Sequence, residues 1–223
     1  MQHWRRWIAI VSLLAACSGP PAPSVPSGPE AELSFDGLTR VKNARFAGVW
    51  IRAGADFSGY RKLMLLPAEI AYKKPPVHGR ETDAGFPLDE RQKQRLAEMA
   101  RTVFLSELVG KGGWEVVDAP GPGVLLVQGW LLDLVVRVPP AQTASARGGT
   151  WVSSYGAMTL VIQLYDSQTH EILARVADRR EVVPTGAELS KADVSAPAEL
   201  RMFFQVWAKR LREGLDAVRG RPS

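Results

Sequence analysis

The chain has 223 residues, 28 Lys and Arg against 23 Asp and Glu, a formal net charge of +5, and a single cysteine, Cys17. That length supports one domain with a sizeable core. The basic residues are scattered apart from Lys209, Arg210, Arg212, Arg219 and Arg221 near the C-terminus, which read as a solvated helix face or as a contact for anionic headgroups. This is not the concentrated basic face of a nucleic-acid binder, and one cysteine excludes a disulfide within the chain.

Residues 1–16 read as a signal peptide. Arg5 and Arg6 precede an uncharged run, "WIAIVSLLAA", which is too short to span a bilayer core of about 30 Å at about 1.5 Å per residue. A basic start, a short apolar middle and small residues at its end fit secretion. "LAAC", Leu14 to Cys17, resembles a bacterial lipobox. The resemblance implies that Cys17 carries acyl chains such as palmitate and becomes the first mature residue. Stable anchoring needs two or more such chains, at about 0.8 kcal/mol per buried CH₂. Residues 18–30 hold five prolines, two glycines and three serines. Such a composition favours an extended tether, reaching roughly 40 Å over thirteen residues. Ser18 after the cysteine, rather than aspartate, favours the outer membrane facing the periplasm.

The domain is expected over 31–223. In "FAGVWIRAG", Val49 and Ile51 alternate against Trp50 and Arg52, as in a short strand. Tyr60–Ile70 reads as a strand buried on both faces, with Pro67 at its end or at an edge. Asp89 caps a helix whose stripe runs Leu96, Met99, Val103 and Leu108, ended by Gly110, Gly112 and Gly113. Trp114–Asp118 is a short strand. Three long strands follow. Val124–Val138 puts Val124, Leu126, Trp130, Leu132, Leu134 and Val136 on one face. Val152–Asp166 aligns Met158, Leu160, Ile162 and Leu164. After the turn "DSQTHE", Ile172–Val183 aligns Ile172, Ala174 and Val176, with Arg175, Arg179 and Glu181 opposite. Ser195 and Pro197 open a last helix with the stripe Leu200, Phe203, Phe204, Trp207, Leu211, Leu215 and Val218, stopped at Gly220. The pattern predicts an α+β fold, a mainly antiparallel sheet of about five strands with two helices packed on one face. A right-handed crossover makes Tyr60–Ile70 parallel to Trp114–Asp118.

No sequence motif announces chemistry. His78 and His170 do not supply the three or four closely spaced ligands of a zinc site. "GPGVLL" lacks the third glycine of a dinucleotide loop and leads into a strand. "VGKGG" lies at a helix C-terminus, where the dipole repels anions. Neither Ser58 nor Ser153 stands in a nucleophile elbow. The second face of Val124–Val138 is unusually apolar. Leu125, Val127, Leu131 and Val135, with Tyr155 and Tyr165 of the next strand, form a candidate partner-contact surface, unless Phe46, Val49 and Trp50 fold back over it. The long loop 139–151, ending at Trp151, is a second candidate.

"DGL" at 36–38, "VWIRAGADFSGYRKLMLLPAEI" at 49–70, "GPGVLLVQGWLLDL" at 121–134 and "IQLYDSQTHEILARVADRR" at 162–180 resemble a family of bacterial lipoproteins known only as a domain of unknown function. The most specific part is "GADFSGY", Gly54–Tyr60. In similar proteins the hairpin before the last strand commonly carries a glycine, where this chain has Thr169 and His170. The resemblance supplies no activity, catalytic residue or cofactor to carry over, and the sequence itself shows a lipobox and no catalytic constellation. The expectation is therefore a non-enzymatic, lipid-anchored envelope protein that binds or scaffolds another envelope component. Two alternatives stand beside it. A carrier of an apolar ligand or lipid needs a cavity lined by Trp130, Phe204 or Trp207. A hydrolase needs convergent groups among Asp133, Asp166, Asp178 and Ser153.

Overall fold

The computed structural model describes residues 21–72, 89–135, 156–182 and 192–220. In chain order the elements are β1 (Leu38–Arg40), β2 (Gly48–Arg52), β3 (Lys62–Leu65), β4 (Glu69–Tyr72), α1 (Glu90–Leu108), β5 (Glu115–Val116), β6 (Val124–Val135), β7 (Gly156–Asp166), β8 (Ile172–Val182) and α2 (Ala192–Val218). The eight described strands form one mixed sheet in the order β1-β2-β8-β7-β6-β3-β5, with β4 pairing β6 beyond β3. The fold is α+β as expected, but the sheet is larger and less uniformly antiparallel than five strands. Two causes account for this. Residues 38–52 add β1 and β2 to the free edge of β8, and the 60–70 segment supplies two strands rather than one.

That segment breaks at Pro67, which has no N–H to give to a ladder. β3 pairs in parallel with the start of β6 (Lys62↔Val124 to Leu65↔Val127), and β4 pairs in parallel further along (Glu69↔Trp130, Ile70↔Leu131). The expected crossover is present: β3 passes through α1 to β5, and these two strands pair in parallel.

Asp89 caps α1 in a reciprocal box. Its carboxylate accepts from the Gln92 amide at 2.7 Å, and the Gln92 side chain accepts from the Asp89 amide at 2.8 Å. Leu96, Ala100, Val103 and Leu108 are buried along one stripe. α2 begins at Ala192, three residues before the expected cap, and buries Phe204, Trp207, Ala208, Leu211 and Leu215. Val218, the last residue of the expected stripe, is exposed. Gly220 ends the helix region with a left-handed φ of 69°. The buried rows of both helices join one apolar cluster with Leu63, Leu125, Val127, Leu131, Met158, Leu160, Ile162, Leu164, Ala174 and Val176, so both pack on the same face of the sheet.

The inner row of β6 is therefore Leu125, Val127, Gly129 and Leu131. Antiparallel register sets Val127 opposite Leu164, Gly129 opposite Ile162 and Leu131 opposite Leu160. At Asp133 the backbone turns to φ 51° and the register shifts. This bulge returns Leu134 to the core.

Two polar ties fix the helices. Asp178, buried on the inner side of β8, accepts from the Trp207 indole at 2.8 Å and from Arg210 and Arg180 at 3.2 Å each. Its other oxygen accepts from the Ala47 amide at 3.2 Å. Glu107 of α1 accepts from Arg212 of α2 at 3.0 Å, and Arg212 also reaches Asp216 at 3.0 Å.

Candidate binding cleft

Between α1 and the inner face of the sheet lies a cleft of about 630 Å³. Missing side-chain volume on three sides makes it. Gly129 interrupts the inner row of β6, and a Cβ placed there would meet nothing within 4 Å. On the helix above, Ala97 and Ala100 stand on the lining. The third side is the break between β3 and β4, where Leu65, Leu66, Pro67 and Ala68 form the wall. Val127, Leu131, Leu160 and Ile162 complete the floor, and Phe104 and Trp130 border it. Gln94, Glu98 and Arg101, all exposed on α1, are the polar residues of the lining. The Trp130 indole donates to Glu69 at 3.2 Å.

Such a site holds an apolar group by removing it from water. It brings together no nucleophile and base, and among the described residues no group of three or more His, Cys, Asp or Glu could hold a metal ion.

Cys17, Trp151 and Tyr155 lie outside the described residues, as does the loop 139–151. Leu125, Val127 and Leu131 do not form the outer contact surface expected of them. Their relative exposures are 0%, 6% and 1%, and they face the helices. The inverted parity comes from register, since Leu126 rather than Leu125 stands opposite Tyr165. Val127 and Leu131 instead line the cleft. For Val135 the backbone pairs with Ala157 past the bulge. Tyr165 is on the outer face, with its hydroxyl hydrogen-bonded to Gln163 and its pKa raised chiefly by burial.

The 31–58 segment does not fold back over that face as a layer. Phe46 enters the core and Val49 and Ile51 pack against it. Only the turn after Ser34 reaches over the outer side, where Asp36 ion-pairs with Arg175 and the Phe35 ring lies 5.2 Å from the Arg175 guanidinium. The carrier reading placed Phe204 and Trp207 around a cavity. Both are 0% exposed in the solid core, and of the three aromatics only Trp130 borders the cleft.

The "GADFSGY" segment has a structural job. Asp56 accepts from the Ser58 amide at 2.8 Å and hydroxyl at 2.9 Å, and Phe57 is buried in the core. The Tyr60 hydroxyl donates to Asp166 at 2.7 Å. The other Asp166 oxygen accepts from the Thr169 and Gln168 amides at 2.8 and 2.9 Å, closing the β7–β8 turn. These bonds, Thr169 foremost, hold the Asp166 carboxyl below the usual range, while burial and then Asp166 push the Tyr60 hydroxyl up. His170 takes φ 58° in this turn, the left-handed conformation that glycine adopts at no steric cost.

The acidic residues considered for hydrolysis are dispersed. Asp166 closes the hairpin, Asp178 is locked to α2, and exposed Asp133 accepts from Thr159 at 3.4 Å. Ser153 is outside the described residues. Sequence reasoning missed the cleft. The available signal was Gly129 in the middle of an otherwise apolar strand, where a glycine marks a bulge or a close approach of another molecule.

Residues 30–211 match a family model described as "Protein of unknown function (DUF3313)". No curated protein matches the chain significantly. Among solved structures, a PelC dodecamer from Paraburkholderia phytofirmans is similar at 10% identity, with 74% of this chain and 96% of that one covered and a TM-score of 0.38. A putative neuraminyllactose-binding hemagglutinin homolog from Helicobacter pylori gives 12% identity, 73% and 84% coverage and 0.38. A minor lipoprotein from Acinetobacter baumannii gives 13%, 72% and 95%, and 0.34. Likeness of this degree transfers neither fold nor function.

Proposed function

This chain belongs to the DUF3313 family, and from that premise we propose that it is a lipid-anchored protein of the bacterial envelope that works by binding another envelope component, not by catalysis. Cys17 is the anchor, in the outer membrane facing the periplasm, and the cleft beneath α1 is the contact site. The observation that carries the reading is the cleft itself, an opening of about 630 Å³ with a floor of Val127, Gly129, Leu131, Leu160 and Ile162. An apolar group of a partner seated there gains about 25 cal/mol for each Å² removed from water. The described carboxylates nearest to a chemical role are instead committed to holding the fold, as Asp166 and Asp178 illustrate.

A second reading, a carrier for a lipid acyl chain, is favoured by the same volume, which falls within the roughly 300–1,000 Å³ of small-molecule sites, and by Arg101 at the lining, suited to an anionic head.

One experiment separates them. A photo-crosslinker replaces Gln94 in the full chain, expressed in intact cells, with and without Gly129→Leu to fill the cleft. A protein adduct that disappears with Gly129→Leu supports the leading reading, and a lipid adduct that disappears supports the carrier. Adducts indifferent to the substitution refute both. The anchor is tested apart from the cleft, by labelling with a clickable fatty acid. Wild-type protein in the membrane fraction without label defeats it, and Cys17→Ala must lose both label and membrane association.

A further inference from the structure

The chain between the anchor and the folded body is short. Ser24 and Lys42 exchange two backbone hydrogen bonds, at 3.0 and 2.8 Å. Further on, the Arg40 amide donates to the Glu32 carbonyl at 2.9 Å, Leu33 bridges Thr39, and the Ser34 amide donates to the Leu38 carbonyl at 2.8 Å. Residues 24–34 thus run beside β1 at the margin of the sheet. The tether expected over 18–30 is joined to the body from Ser24 onward. From Cys17 to Ser24 the chain reaches about 25 Å at most. An acylated Cys17 would hold this margin within about 25 Å of the bilayer.

On this margin three large apolar side chains stand in water: Phe35 at 95% exposure, Leu33 at 65% and Val25 at 49%. Phe35 is the most exposed large hydrophobic residue described, yet it is held by a built turn. The Ser34 hydroxyl donates to Asp36 at 2.6 Å and accepts from the Leu38 amide at 3.0 Å. Gly37, at φ 77°, lets the chain reverse. The neighbouring charges are matched pair by pair: Arg40 with Glu32 at 3.2 Å, Lys42 with Glu30 at 3.6 Å, and Arg175 with Asp36. Nothing in this set favours an anionic surface over a neutral one.

We propose that the margin formed by residues 24–42 is a second membrane contact, in which Phe35 and Leu33 enter the interfacial layer of the bilayer. Leash length, aromatic exposure and charge balance converge on a lipid surface. The proposal rests on Cys17 being the anchor. It places the cleft, four strands away across β2, β8 and β7, on the part of the body turned toward the periplasm.

The test uses the full lipidated protein in phosphatidylcholine vesicles, with and without phosphatidylglycerol. Because Cys17 is the only cysteine and is blocked by lipid, Val25→Cys or Glu98→Cys supplies a single thiol for an environment-sensitive fluorophore. The expected result is quenching by spin-labelled lipid at position 25 and by aqueous iodide at position 98, unchanged by salt. Adding Leu33→Ser with Phe35→Ser should return the label at 25 to water. A label at 25 as open to iodide as that at 98, in protein whose intact mass shows acylation, overturns this proposal alone. An unacylated Cys17 in the same spectrum overturns the anchor and this proposal together. Shielding in cells that is absent from vesicles overturns it in favour of a protein partner.

Discussion

Filling the cleft from its floor should make the protein more stable and less able to bind. Gly129→Leu is the perturbation. Gly129 has no positive φ, and a Cβ there meets nothing within 4 Å, so the substitution carries no backbone strain and no clash at Cβ. Removing a glycine from a strand interior recovers about 0.5–1 kcal/mol of unfolded-state entropy. A leucine side chain fully buried contributes about 1.5–3 kcal/mol, reduced by about half because the cleft opens to water, and loses about 0.5–1 kcal/mol of rotamer freedom. The balance is a gain of about 1 kcal/mol. For a domain of this length that raises the melting temperature by about 2–4 °C. Paired calorimetry and urea titration of the mature protein measure it. A loss of more than about 0.5 kcal/mol would refute the reasoning, because it would mean that the space over Gly129 is already filled by the chain.

Four further outcomes follow from other parts of the molecule. Asp178→Ala strands the Trp207 indole, the Ala47 amide and the Arg210 guanidinium, and should cost about 3–5 kcal/mol in urea unfolding followed by tryptophan fluorescence. A cost below 1 kcal/mol would show that water replaces the carboxylate. Glu107→Ala removes the bond that ties Arg212 of α2 to α1 while leaving Arg212 its bond to Asp216, and should cost about 1.5–3 kcal/mol, with hydrogen exchange rising first at the C-terminal end of α1. Asp36, Glu107 and Asp166 are all held below their usual pKa, so the stability they contribute is present above the unfolded-state range near pH 4 and is lost as pH falls through their lower folded values. Tyr60→Phe removes one of the bonds holding Asp166 down. It should cost about 1.5–3 kcal/mol at pH 7 and progressively less as pH falls through the folded range of Asp166. A cost that persists once Asp166 is protonated, followed by NMR of its carboxyl, would separate Tyr60 from Asp166.

The helices were legible because their signals are local. Asp89 with Gln92 marks the start of α1, and Phe204, Trp207, Leu211 and Leu215 fall at spacings of three and four. The inner row of β7 was legible for the same reason, since Met158, Leu160, Ile162 and Leu164 alternate with Thr159, Gln163 and Tyr165, Val161 being the one apolar exception. β6 misleads because both its faces are apolar, so periodicity alone cannot say which one meets the helices. Its partner decides, through Val127↔Leu164 and Leu131↔Leu160, and the bulge at Asp133 then carries Leu134 inward. β1 and β2 are three and five residues long, and their place in the sheet depends on pairing with β8 more than a hundred positions away. The cleft is the least legible feature. It consists of absent volume at Gly129, Ala97 and Ala100, and hydropathy records only the side chains that are present.

The segment beside β1 also bears on how copies of this protein behave when packed together. An open sheet edge is a template on which a neighbour's strand can add, and this one is occupied by a stretch holding Pro21, Pro23, Pro26 and Pro29. It meets the strand only at isolated bridges, Ser24 with Lys42 and Leu33 with Thr39, and each proline presents no donor to an incoming chain. At high local density this margin therefore offers a neighbouring copy no ready ladder to extend.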